Sequence, residues 1–139
     1  MATQVTTDLQ NLQAIADANH RKLAALATAP GYSADGSVAS FVFYSKWTCN
    51  ITSGPANGKR FSGQAGGIGL PGGGAIFGTV YSDDVMRLVS STHSFQWTAA
   101  AFTYTSLIFF DSDSNFLGSF QAGGLSTVNG TGGGTGSWS

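Results

Sequence analysis

From Gly36 onward the hydrophobic and polar positions alternate with a period of two. Between Gly36 and Thr52, Ala39, Phe41, Phe43, Trp47, Cys49 and Ile51 alternate with Val38, Ser40, Val42, Tyr44, Lys46 and Thr48. This predicts one long bent strand or two consecutive strands, with the aromatic rings on one face. Further strands are predicted over 60–70, 75–81, 92–98, 104–111, 115–122, 125–131 and 135–139. Gly54-Pro55-Ala56-Asn57-Gly58, Pro71-Gly72-Gly73-Gly74 and Asp111–Asn115 supply turns between them. Ser82-Asp83-Asp84 is placed to cap a short helix through Val89.

Residues 7–29 carry a different period. Leu9, Leu12, Ala16, Asn19, Leu23 and Leu26 recur at alternating spacings of three and four, and Pro30-Gly31 stops the run. Thr6 or Thr7 can cap this predicted helix, with Asp8 in its first turn. The seam either packs on the chain's own β-domain or pairs with a second copy in a homodimer, where Asn19 would help fix register. The chain therefore divides into an N-terminal helical segment, 1–32, and a Gly-rich β-domain, 33–139. Short, evenly spaced strands suit a sandwich or a small closed barrel.

Composition favours closure. Only 9% of the 139 residues are charged and Glu is absent, so few side chains remain to protect open sheet edges. Twenty glycines permit the sharp coiling of a narrow barrel. The formal net charge of −1 offers no basic excess for nucleic acid. No apolar run approaches the length of a transmembrane helix. The N-terminus lacks the basic start and apolar core of a signal peptide, which leaves export by another route, prior removal of a signal, or a cytosolic location open. Cys49 is the single cysteine, so no internal disulfide forms.

Candidate chemistry is sparse. Gly67-Ile68-Gly69-Leu70-Pro71-Gly72 matches a dinucleotide fingerprint literally, but Pro71 and further glycines follow where a helix should begin. Asp111-Ser112-Asp113-Ser114-Asn115 opens like a calcium loop, yet Phe116 and Ala122 stand where the loop needs Gly and Glu. Cys49 and His93 would make a thiol–imidazole pair only if the fold joined them. Asn50-Ile51-Thr52 and Asn129-Gly130-Thr131 are glycosylation sequons. No cofactor, metal site or catalytic set is expected. The aromatics are mainly core by alternation. Around the uncharged 99–104 stretch, however, Trp97, Phe102 and Tyr104 are candidates for an exposed surface that meets a membrane, a host-cell component or a glycan.

From Phe61 onward the chain resembles the rhodococcal virulence-associated (Vap) proteins. The resemblance rests on Phe61-Ser62-Gly63-Gln64-Ala65-Gly66-Gly67, Leu70-Pro71-Gly72-Gly73-Gly74-Ala75 and Phe77-Gly78-Thr79. It continues through Ser82-Asp83-Asp84, Leu88, Ser94-Phe95-Gln96, Phe109-Phe110-Asp111, Leu117-Gly118, Gln121-Ala122-Gly123-Gly124 and Gly132-Gly133-Gly134-Thr135-Gly136-Ser137-Trp138. It implies an eight-stranded antiparallel Greek-key β-barrel with one short internal helix. It also implies an exported, non-enzymatic protein acting on host membranes or host cells. A lectin-like, carbohydrate-binding module, dimerised through residues 7–29, is the competing expectation.

Overall fold

The computed structural model describes residues 29–66 and 71–139. Within them lie strands β1 (Gly31–Ser40), β2 (Tyr44–Ile51), β3 (Arg60–Gly66), β4 (Gly72–Tyr81), β5 (Ser94–Ala100), β6 (Tyr104–Phe110), β7 (Phe116–Gly124) and β8 (Gly130–Trp138). One helix, α1 (Val85–Ser91), stands between β4 and β5. The strands close into a barrel in the order β1-β2-β3-β8-β5-β6-β7-β4, each pair of neighbours antiparallel. In each successive quartet, three consecutive strands lie side by side and the fourth returns beside the first. That is a Greek key, used twice. Closure leaves no strand edge among these eight open for pairing with another chain.

The interior is filled from the inward positions of each strand. Trp47, Phe61, Phe95, Phe109 and Phe120 are fully buried. Phe61 meets Phe95 and Phe109 edge-on, with centroids 5.2 and 5.0 Å away, and Trp47 lies 5.0 Å from Trp97. Burying a side chain of this size stabilises the fold by about 1.5–3 kcal/mol before entropy is counted. Two inward glycines let strands approach more closely than a side chain would permit. A Cβ on Gly78 would fall on the Gln121 carbonyl oxygen, and one on Gly134 on that of Gln64.

Several expected boundaries move. The run 36–52 takes the second of its two expected forms, consecutive strands, joined by a hairpin at 41–43 and closed by the Phe41 amide donating to the Tyr44 carbonyl at 2.7 Å. The inward set switches from Ala34, Val38 and Ser40 to Ser45, Trp47, Cys49 and Ile51. Phe41 and Phe43 therefore leave the face they were expected to share with Trp47. Residues 125–129 form a crossover, and Gly130–Trp138 is one strand where two were expected. β1 begins at Gly31, two residues ahead of the expected domain boundary. Helix α1 forms where Ser82-Asp83-Asp84 predicted it: the Asp84 carboxylate accepts from the Arg87 amide at 3.1 Å. Residues 7–28 of the expected helix, with its seam residues Leu9, Leu12, Ala16, Asn19, Leu23 and Leu26, lie outside the described residues.

Candidate functional site

Strand direction gives the barrel two unlike ends. At the lower end lie Ala29, the 52–59 loop, α1, the 111–115 turn and Ser139. Lys59, Arg60, Asp83, Asp84, Arg87, Asp111 and Asp113 gather there. At the upper end lie the 41–43 and 101–103 hairpins and the 125–129 crossover into β8. Among the described residues nine large hydrophobic side chains are exposed, and seven of them sit at this upper end: Phe41, Val42, Phe43, Tyr44, Phe102, Tyr104 and Leu125. The other two, Phe77 and Met86, lie on the flank and at the lower end. Lys46 is the one charged residue near the upper rim among the described residues.

The rim is built, not frayed. Phe41 and Tyr44 stack at 5.1 Å and 11°. The 125–129 crossover binds to β4 on one side, where the Leu125 amide donates to the Ala75 carbonyl at 3.0 Å and the Thr127 amide to the Gly73 carbonyl at 3.2 Å. On its other side it holds the second hairpin. The Phe102 amide donates to the Ser126 carbonyl at 2.9 Å, and the Ala101 amide to Asn129 Oδ1 at 2.7 Å. Val128 turns inward and plugs the barrel beneath. These bonds keep Phe102 at φ 57°, a left-handed conformation that a bulky side chain rarely adopts. Phe102 as a whole is 67% exposed. Strain spent on holding an apolar ring in water points to a task for that ring.

The expected site residues separate. Phe102 and Tyr104 are on the rim. Trp97 is not: it faces into the barrel, 4% exposed and packed on Trp47. The inward alternation of Phe95, Trp97 and Ala99 along β5 places it there, so it presents no face to a sugar or lipid. Phe41, Val42, Phe43, Tyr44 and Leu125 were missed. Continuous alternation through Phe41 and Phe43, with no Gly, Pro, Asn or Asp at the turn, hid the first hairpin.

The other candidates have structural roles. Cys49 faces into the barrel and is fully buried. Burial, helped by the charge of Asp35, pushes its thiol well above the usual range. His93 is exposed below β5, so the fold does not bring the two together. Asp111 organises a turn: its Oδ1 accepts from the Asp113 and Asn115 amides at 2.9 Å each, and Oδ2 from Asn115 Nδ2 at 3.1 Å. Gly72 opens a strand and not a helix, so the glycine run before it has no helix N-terminus to offer a pyrophosphate. Among the described residues no group of three or more His, Cys, Asp or Glu could hold a metal ion. No helix among them is long and apolar enough to cross a membrane.

Topology and rim together define a small closed double Greek-key barrel with one charged end and one apolar end. A family model described as Rhodococcus equi virulence-associated protein matches residues 2–139. The chain belongs to that family. Among solved structures it is similar to virulence-associated protein VapB from the intracellular pathogen Rhodococcus equi. That match has 42% identity and a TM-score of 0.70 over 79% of this chain and 96% of that one. It is also similar to VapD from the same organism, at 39% identity and a TM-score of 0.75 over 79% and 97%. No curated protein matches it.

Proposed function

We propose that this chain is an exported, non-enzymatic surface-interaction protein that seats the upper end of its barrel in lipid membranes of a host cell. The observation that carries this reading is the segregation of exposed aromatics to one nearly charge-free rim. Family membership supports a role at the host, since the family is described as virulence-associated. A rim without a basic cluster implies attraction by apolar burial, which does not depend on anionic lipid or on counterion release.

The test is co-sedimentation of the full chain with neutral phosphatidylcholine vesicles. Binding is expected to change little between low and high salt. Phe43→Ser and Phe102→Ser should each weaken it about ten-fold, as loss of roughly 1–2 kcal/mol of ring burial requires. Met86→Ser, at the opposite end, should leave it unchanged. Full binding by a folded Phe43→Ser, Phe102→Ser double variant would remove the rim from the function.

A further inference from the structure

The lower end has no role in that reading, and its charges are sorted by side. Around the closed barrel the β2–β3 turn and the β6–β7 turn stand four strand places apart, on opposite sides of the mouth. The first carries Lys59 and runs into Arg60, and the second carries Asp113. Helix α1 crosses between them, packed on β7 and β8. Its Val85 and Leu88 enter the core and its Met86 is exposed. Asp83 precedes α1 at the foot of β4, next to β7. Lys59, Arg60, Asp83 and Asp113 are all exposed, and none of the four side chains forms an ion pair or hydrogen bond among the described residues. A surface with one basic side, one acidic side and an apolar residue between is complementary to a copy of itself turned over.

We propose that two copies of this chain pair lower end to lower end, each placing Lys59 and Arg60 against the other's Asp83 and Asp113, with the two α1 helices between. The apolar rims then face opposite ways, so the pair bridges two membranes. The bridging rests on the membrane reading of the rim; the pairing does not. A two-fold axis in the plane of the lower end, perpendicular to the line from basic to acidic side, makes both charge contacts at once. A formal net charge of −1 leaves little mutual repulsion to overcome. Closure removes edge-to-edge strand pairing as a competing mode for these eight strands. The end of an eight-stranded barrel offers on the order of 500 Å² per partner, less than the roughly 800 Å² of a standard interface. The pair is therefore weak, and its charges make it sensitive to salt.

Sedimentation equilibrium of the full chain at low ionic strength should show a dimer at roughly 0.1–1 mM protein, with affinity at least about ten-fold weaker in about 0.5 M salt. Lys59→Asp with Arg60→Asp, or Asp83→Lys with Asp113→Lys, should each abolish the dimer. Both pairs of changes leave the Asp84 cap and the Asp111 turn bonds in place, and an unchanged melting temperature checks that each variant folds. Mixing the two variants in equal amounts should restore pairing, because the reversed sides match. The parent and the mixture should cluster phosphatidylcholine vesicles, while either variant alone co-sediments with them and leaves them dispersed. A parent that stays monomeric over this range, or a dimer that survives both reversals, overturns the pairing. A dimer that co-sediments with vesicles without clustering them overturns the bridging. A dimer that does not co-sediment at all overturns the membrane reading, and the bridging with it, while the pairing stands.

Discussion

A phenylalanine held at positive φ is the most informative residue in this molecule. Phe102 would relax if replaced by Asn, which tolerates the left-handed region. Phe102→Asn is expected to stabilise the barrel by about 1 kcal/mol, raising the melting temperature by a few degrees. The same change should weaken vesicle binding. A gain in stability with a loss of function would mark the strain as functional; unchanged binding would mark it as incidental. The sequence singled out Phe102 and Tyr104 by the absence of charge around them. It offered Trp97 as well, because Trp97 adjoins the uncharged 99–104 stretch, although alternation of Phe95, Trp97 and Ala99 with Ser94, Gln96 and Thr98 already marked it as core. Phe41 and Phe43 were illegible for a different reason: strand alternation continues unbroken across a hairpin that no turn residue announces.

Among the elements, turns with side-chain chemistry were the easiest to read. The Asp111–Asn115 turn forms where Asx residues cluster, and the Asp111 carboxyl is held below its ordinary range. The Asn115 amide is the main cause, opposed by desolvation and joined by the Asn115 side chain, the Asp113 amide and Arg87. A lowered folded-state pKa means stabilisation that is full above the ordinary Asp value near 3.9 and disappears as pH falls through the folded value. Asp111→Asn should therefore be less stable than the parent at neutral pH. In denaturant melts the difference should close as pH falls from the ordinary Asp value of about 3.9 through the lower folded-state value. A constant difference across that range would assign the role of Asp111 to shape and not to charge. The two C-terminal strands expected at 125–131 and 135–139 were the least legible. Their residues are mainly Gly, Ser and Thr, so no inward pattern separates the crossover from the strand; only pairing of β8 with both β3 and β5 does so.

At the scale of the whole molecule, alternation and turns implied several short strands, glycine content and low charge implied closure, and the family resemblance supplied the Greek-key order. Polarity along the barrel axis was not legible. It arises because antiparallel order sends the 41–43 and 101–103 hairpins to one end and the Asp-rich turns to the other. Segments more than fifty residues apart in sequence thus make one rim. The most direct measurement of its role uses an environment-sensitive nitrobenzoxadiazole probe at two positions in the full chain, Val42→Cys at the upper end and Ser90→Cys on α1. With phosphatidylcholine vesicles, docking by the apolar end requires the Val42 probe to brighten and shift to the blue while the Ser90 probe stays as in water. A shift at Ser90 alone, or the same response from both positions, would contradict it.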